Sequence, residues 1–155
     1  MISVLIDTNL LVYMYDLSEP EKRRRSINVL QSVHEAESGA LSAQALSEFY
    51  NVVTRKLAPP LTATQAEDQL HRLARVWPVF PVTTQVVFEA ARGSRRYKFS
   101  FWDAQIWAVA RLNHISLVLS EDFSPDAVIE GVRFVNPLAD DSRPADWEGR
   151  QEADQ

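Results

Sequence analysis

Cysteine is absent from this 155-residue chain. Its absence excludes disulfide bridges, thiolate metal ligands and cysteine nucleophiles, and it is typical of proteins from a reducing compartment. Histidine is scarce as well, because His34, His71 and His114 stand far apart and have no partner at the spacing of metal ligands. We therefore interpret all three histidines as surface or core residues.

Long apolar segments are also missing. No run approaches the roughly 18 apolar residues that a membrane-spanning helix needs. The first residues lack the charged and apolar regions of a signal peptide, so we predict a cytoplasmic protein with no membrane attachment. A hydrophobic content of 46% is ordinary for a globular protein. A chain of this length is expected to form one domain around one core.

The charges are unevenly distributed, although the formal net charge is only −5. Residues 139–155 contain six acidic residues and two arginines. We predict that this segment is a flexible acidic tail, with Trp147 as its one possible anchor, and that residues 1–138 form the domain. The basic residues of the domain occur in clusters that suit a polyanionic substrate, or that simply form solvated helix faces. The clusters are Lys22 to Arg25, Arg55 with Lys56, and Arg92, Arg95, Arg96 and Lys98.

Short apolar runs alternate with helical patterns along the domain. Strands alternating with helices favour a parallel sheet that is covered on both faces. We therefore predict an α/β fold, a three-layer α/β/α sandwich with a mainly parallel central sheet. The predicted strands are 2–6, 40–41, 79–82, 116–119 and 134–135, and the predicted helices are 8–15, 20–37, 43–57, 63–76, 84–92 and 101–113.

Four acidic residues stand where a parallel α/β fold binds ligands. Asp7 directly follows the first strand and Asp122 follows the strand 116–119, so both face the crevice at the carboxyl ends of the strands. Asp103 opens a helix that is apolar all round, where an ionised carboxylate is costly without a partner. Glu48 lies on the flank of the apolar stripe of its helix. Converging carboxylates repel one another unless a divalent cation joins them, and oxygen ligands suit Mg²⁺ or Mn²⁺.

Each of these acids also has a purely structural interpretation. Asp103 follows Ser100 at the spacing of a capping box. Asp7 can cap the next helix, Asp122 can belong to a turn, and Glu48 can be a solvated flank residue. Four polar neighbours either orient the carboxylates or cap helices: Thr8, Asn9, Ser100 and Ser120.

The motifs around the four acids resemble those of PIN domains, in the same order and spacing. More narrowly, the chain resembles the VapC-type toxin ribonucleases of bacterial toxin–antitoxin pairs. The resemblance covers about residues 1–138. The motifs are Val4-Leu5-Ile6-Asp7-Thr8-Asn9, Ser47-Glu48-Phe49, Ser100-Phe101-Trp102-Asp103-Ala104, Ser120-Glu121-Asp122-Phe123 and the closing Gly131-Val132-Arg133-Phe134-Val135-Asn136-Pro137.

This resemblance implies a PIN-like parallel sheet and a Mg²⁺- or Mn²⁺-dependent endoribonuclease that cuts RNA as the toxin of a toxin–antitoxin pair. By position, Asp7 and Asp103 would bind the metal directly, and Glu48 and Asp122 would complete the catalytic cluster. Glu121 is the alternative fourth acid. The competing hypothesis is a non-catalytic PIN-like module that binds RNA or protein, against which the retention of all four acids speaks.

The resemblance also implies partners, namely a homodimer and a small cognate antitoxin protein. The antitoxin would occupy a groove beside the first helices, and an amphipathic helix in an apolar groove is a common mode of recognition. The alternative is that the apolar residues of these helices are core. The residues concerned are Leu10, Leu11, Tyr13, Met14, Tyr15, Val52 and Val53.

Overall fold

A six-stranded sheet forms the centre of the fold, in a computed structural model that describes residues 1–124 and 127–148. Its strands are β1 (Val4–Ile6), β2 (Gly39–Ser42), β3 (Val79–Phe80), β4 (Leu117–Leu119), β5 (Val128–Ile129) and β6 (Val132–Val135). They lie in the order β3-β2-β1-β4-β6-β5. Neighbouring strands are parallel, except that β5 runs antiparallel to β6.

Helices cover both faces of the sheet. They are α1 (Thr8–Tyr13), α2 (Pro20–Glu35), α3 (Ala43–Arg55), α4 (Ala63–Val76), α5 (Thr84–Tyr97) and α6 (Phe101–Leu112), and a 3-10 turn spans Pro144–Asp146. Helices α1 to α4 share one apolar cluster with the sheet, and α5 and α6 share another. Along β1 the side chains alternate between the two, with Val4 and Ile6 in the first cluster and Leu5 in the second. The predicted three-layer sandwich is confirmed. Within the part of the chain described, no helix is long and apolar enough to cross a membrane.

The strand order changes direction between β1 and β4. From β1 the chain moves outward to β2 and β3, and it then returns to place β4 on the other side of β1. Open α/β sheets bind ligands at such a switch point, outside the carboxyl ends of the strands. The backbone N–H of Asp7 donates to the carbonyl of Leu119 at 2.9 Å, so the ends of these two strands are joined directly.

Helix α5 continues to Tyr97, beyond the end at residue 92 that the sequence predicted. Gly93 lies within this helix, although glycine is a poor helix former. In the fold, a Cβ atom on Gly93 would lie 2.4 Å from the Trp107 ring of α6. The glycine therefore permits the close approach of α5 and α6 and does not end the helix.

Two other elements differ from the sequence pattern. Helix α2 ends at Glu35, and the left-handed residue after it is Glu37 with a φ of 52°. A glycine often ends a helix, but Gly39 does not end α2. It begins β2, where a Cβ atom would meet Val33 at 2.5 Å and Trp77 at 2.6 Å. The pattern does not indicate β5 either, because two residues give no measurable periodicity.

The segment 139–148 packs against the domain, whereas the sequence predicted a flexible tail over 139–155. Trp147 is 7% exposed and belongs to the apolar cluster that includes residues of α2. Arg25 of α2 donates to the carbonyl of Leu138 and to the Asp140 carboxylate, each at 3.0 Å. The buried Trp147 side chain thus anchors a segment whose polar and acidic composition is otherwise typical of a flexible tail. Residues 149–155 lie outside the described residues.

Candidate active site

The four acids predicted from the sequence meet at the carboxyl edge of β1 and β4. Asp7 follows β1, Asp122 follows β4, Glu48 lies in the middle of α3, and Asp103 lies in the first turn of α6. Burial first, and then repulsion from Glu48 and Asp122, raise the pKa of both Asp7 and Asp103. The four carboxylates therefore form one acidic cluster.

Asp7 is the most buried member of the acidic cluster, with 6% of its surface exposed. The Thr8 backbone N–H donates to its Oδ1 at 2.7 Å, and the Ser120 hydroxyl donates to its Oδ2 at 2.7 Å. Asp7 itself is thus the cap of α1. Burial raises its pKa to about 6, although both hydrogen bonds oppose the shift. A carboxylate has several lone pairs, so capping does not exhaust its capacity to bind.

Glu48 is held at both carboxylate oxygens. The Thr8 hydroxyl donates to Oε2 at 2.7 Å, and the Gln44 amide donates to Oε1 at 2.8 Å. Gln44 also donates to the carbonyl of Trp102 at 3.2 Å and accepts a bond from Gln105 of α6 at 2.6 Å. This chain of bonds joins α1, α3 and α6. Sequence reasoning missed both glutamines, and the one available signal was the position of Gln44 a single turn before Glu48.

The adjacent acids Glu121 and Asp122 have different partners. Asp122 accepts from the Asn9 amide at 3.1 Å, and that amide also donates to Ser120 at 3.2 Å. Glu121 instead pairs with Lys22 at 3.1 Å and accepts a hydrogen bond from a tyrosine of α1, Tyr13. The structure therefore places Asp122, and not Glu121, in the acidic cluster.

Asp103 is half-buried at the start of α6. Its backbone N–H donates to the Ser100 hydroxyl at 3.1 Å, so Ser100 is the cap residue of this helix. Burial raises the pKa of Asp103, a hydrogen bond to Ser100 opposes the shift, and repulsion from Asp122 and Glu48 adds to it. Ser100 alone therefore caps α6, and the site role of Asp103 stays a prediction.

The acidic cluster is not preassembled as a metal site. Among residues 1–124 and 127–148, no three His, Asp or Glu side chains have an arrangement that could hold a metal ion. Hydrogen bonds direct the carboxylates of Asp7, Glu48 and Asp122 to separate partners. The donors are nevertheless all oxygens, as a hard cation requires. The buried Oδ1 of Asn9, whose amide bonds to Asp122, also has no hydrogen-bond partner, which is unusual for a buried polar atom.

A groove of about 780 Å³ opens beside the acidic cluster, and we call it the α1–α3 groove. Glu48 and Asp122 line it together with apolar and polar side chains of α1 and α3. Lys56 and Trp102 also contribute to its wall. The remaining lining residues are Thr8, Asn9, Val12, Tyr13, Asp16, Gln44, Ser47, Asn51, Val52 and Leu57.

The sequence matches the PIN domain family over residues 4–128. The chain therefore belongs to the PIN-domain family, and the resemblance inferred from the motifs is confirmed. Among curated proteins, none matches this sequence.

Several solved structures share the fold. A toxin–antitoxin complex from Klebsiella pneumoniae contains a chain 20% identical to this one, with a TM-score of 0.64, over 87% of this chain and 98% of that one. VapC20 of Mycobacterium tuberculosis, described as a sarcin–ricin loop cleaving toxin, is 22% identical with a TM-score of 0.62, over 84% and 99%. FitAcB from Neisseria gonorrhoeae is 20% identical with a TM-score of 0.60, over 86% and 97%.

Burial of Asp7 should make the stability of the metal-free protein depend on pH. The pKa of Asp7 is about 6 in the folded protein, against 3.8 for the unfolded reference, so the folded state binds the proton more tightly. The free energy of unfolding should therefore fall by ~3 kcal/mol from this group as the pH rises from about 3, below the unfolded pKa, to about 7, above the folded pKa. Urea denaturation in EDTA across this range measures the change.

The variant Asp7→Asn isolates this contribution. At pH 7 it should raise the free energy of unfolding by roughly 1–2 kcal/mol, because the gain from removing the charge exceeds the cost of leaving the Ser120 hydroxyl without its acceptor. Asp68→Asn, at an exposed position on α4, is the matched control and should leave the slope against pH unchanged. If the free energy of unfolding of Asp7→Asn fell with rising pH as steeply as that of the wild type, the prediction would be contradicted.

Proposed function

We propose that this protein is a metal-dependent endoribonuclease and the toxin of a toxin–antitoxin pair. The observation that carries the proposal is the convergence of Asp7, Glu48, Asp103 and Asp122 at the switch point of the sheet, at the positions where PIN-domain resemblance implies catalytic acids. Membership of the family and a fold shared with a sarcin–ricin loop cleaving toxin support the reaction class.

The donor set fits Mg²⁺ or Mn²⁺, with Asp7 and Asp103 as the proposed direct ligands. The charged forms of both carboxylates are disfavoured by burial and by repulsion in the metal-free protein, which raises the pKa of each. Glu48 and Asp122 would complete the set, directly or through water. When bound, such a cation lowers the pKa of coordinated water and offsets the charge of a phosphate.

The chain itself supplies orientation and proton acceptors. The hydroxyls of Thr8 and Ser120 both donate to carboxylates, so neither is poised as a nucleophile. All three histidines are exposed, and His34 packs on Trp77. Water is therefore the proposed nucleophile, and a carboxylate of the acidic cluster is its proton acceptor.

Exposed cations near the acidic cluster suit the phosphates of RNA. Several predicted basic residues are engaged within the protein, since Lys22 pairs with Glu121 and Arg92 pairs with Glu89 and Glu130. Lys56 lines the α1–α3 groove. Three more exposed basic side chains lie at the carboxyl end of α5, a few residues before Asp103 in the sequence. We infer that they contact the RNA backbone. They are Arg95, Arg96 and Lys98.

Asp103→Asn should abolish RNA cleavage while the protein stays folded. Loss of a residue that merely orients a ligand already costs ~10–100-fold, so loss of a direct ligand should lower the rate by more than ~100-fold. Gel assays on a generic RNA with Mn²⁺ measure the rate, and circular dichroism checks the fold.

The adjacent acids offer a matched comparison for this test. Asp122→Asn should lose cleavage, whereas Glu121→Gln should keep most of it, because Glu121 pairs with Lys22 outside the acidic cluster. Wild-type rates in folded Asp103→Asn would contradict the ligand assignment. No cleavage by the wild-type protein would favour the non-catalytic module.

Metal should stabilise the folded protein, because the acidic cluster exists only in that state. At about 100 times Kd, the free energy of unfolding should rise by ~2.7 kcal/mol. Thermal melting in EDTA and then in excess Mn²⁺ measures the shift. Asp7→Asn should lose most of it. An equal shift in this variant, or none in the wild type, would contradict a shared site.

We further propose that a segment of the antitoxin occupies the α1–α3 groove. Toxin–antitoxin complexes of similar fold support a cognate antitoxin. The groove presents half-buried apolar side chains, such as Val52. The sequence prediction was too broad, because Leu10, Leu11 and Val53 are fully buried core residues. A homodimer stays a prediction from the resemblance.

Val52→Glu should weaken capture of the antitoxin, because it places a charge on the apolar part of the groove. The probe is the small protein encoded beside this gene, co-expressed and recovered on a tag, and the free variant should still cut RNA. Val87→Glu, at an exposed apolar position on α5 outside the groove, is the control and should bind normally. Normal binding by Val52→Glu would place the antitoxin elsewhere.

A further inference from the structure

Trp102 is exposed, although the other tryptophans of the chain are buried. Its exposed fraction is 62%, against 6% for Trp77, 0% for Trp107 and 7% for Trp147. Trp102 directly precedes Asp103 in α6, and it lines the α1–α3 groove together with two acids of the cluster, Glu48 and Asp122. The core does not use this indole, so its position beside the acids requires another explanation.

The indole is held in place by its surroundings. The Ser100 hydroxyl caps α6, and residues 104–110 of that helix are buried. The Trp102 carbonyl accepts a hydrogen bond from Gln44 at 3.2 Å. The Phe101 ring meets the indole edge-on, with centroids 5.5 Å apart and an interplanar angle of 80°. A side chain fixed in this way loses little conformational entropy when a flat ligand covers it.

Trp102 lies at the acidic end of the groove. Along α3, Gln44 beside Trp102 and Glu48 come first, and Val52 follows roughly 12 Å from Gln44, as the helical rise dictates. The apolar part of the groove is therefore separate from the indole. A ligand at the acidic end needs a flat face that can cover the indole and polar groups that can lie beside charged side chains. A nucleotide has both, in its base and in its sugar and phosphate.

We propose that Trp102 stacks on a nucleobase of the RNA next to the phosphate that is cut, an inference that rests on the proposed endoribonuclease function. The substrate class is then RNA with an unstacked base at this point, in a single strand or a loop, because a continuous duplex keeps its bases covered. Stacking accepts any base, since every base has a π face. Trp102 therefore selects accessible RNA and not a base sequence.

Binding of a short single-stranded RNA to Asp7→Asn tests the proposal, because this variant lacks a proposed direct metal ligand and should not cleave the probe. In this background, Trp102→Ala should weaken Kd on the order of 10-fold, as expected for one lost base–aromatic stack. Trp102→Phe should keep most of the affinity, and Trp102→Leu should not, because leucine is apolar without a π face. Phe88→Ala removes an aromatic residue of α5 that is 63% exposed, outside the groove, and should have no effect.

Tryptophan emission gives a second readout. Because the other tryptophans are buried, single-stranded RNA should quench chiefly the emission of Trp102. An abasic oligomer of equal length and a perfect RNA duplex should quench it weakly. Trp102→Phe should lose the quench while retaining affinity, which separates stacking from a general change in structure.

Three outcomes would overturn the proposal. Equal RNA affinities of Trp102→Leu and Trp102→Phe would show an apolar contact without stacking and would contradict the proposal. A smaller apparent mass of Trp102→Ala than of the wild type in size-exclusion chromatography would assign the ring to a contact between two copies.

Unchanged RNA binding by Trp102→Ala, together with RNA cleavage by the wild type, would remove the stacking role and leave the nuclease function standing. Conversely, lost binding in Trp102→Ala with no cleavage by the wild type would uphold stacking and contradict the nuclease.

Discussion

Burial of one carboxylate between two parallel strands is the constraint on which the rest of the site depends. Asp7 has to receive hydrogen bonds where β1 ends, because an ionised carboxylate with no partner there is too costly. The Ser120 hydroxyl meets this need from the end of β4, and the same oxygen accepts bonds from Asn9 and from the Asp122 backbone. The hydrogen bond that stabilises Asp7 therefore also positions the segment that carries Asp122.

In the part of the chain that the structure describes, neutral donors orient the carboxylates of Asp7, Glu48 and Asp122. These hydroxyls and amides do not cancel the negative charge, and the nearby Lys22 is bound to Glu121. A lysine within the cluster would stabilise the metal-free fold, but it would also occupy the negative field that the proposed divalent cation needs. Burial and then repulsion raise the pKa of Asp7, so an ionised Asp7 lowers the stability of the metal-free fold while it maintains that field.

Much of the fold follows from local signals in the sequence. Helix α4 has the predicted bounds because Thr62 caps it and Trp77 leaves the helical conformation before a proline. Strand ends and an apolar helix likewise pointed to Asp7, Asp122 and Asp103, whereas Glu48 was singled out chiefly by the resemblance of its motif. What escaped prediction depends on contacts between distant residues. The length of α5 is set by packing of Gly93 on Trp107, and Gln44 meets Gln105 only once α3 and α6 are assembled. Trp147, which the sequence analysis named as a possible anchor, is buried, and its packing orders residues whose polar composition alone predicted a tail.

The double duty of Asp7 has an evolutionary consequence. Because its side chain caps α1 as well as facing the acidic cluster, a chain that has lost catalysis still needs a capping residue here, and asparagine meets that need without a buried charge. In α6 the two duties are divided, since Ser100 caps the helix and leaves Asp103 under a separate constraint. Among divergent relatives, a capping residue at the first position is thus a poor marker of an active enzyme, whereas an aspartate kept there against its cost in stability indicates a site that is still in use.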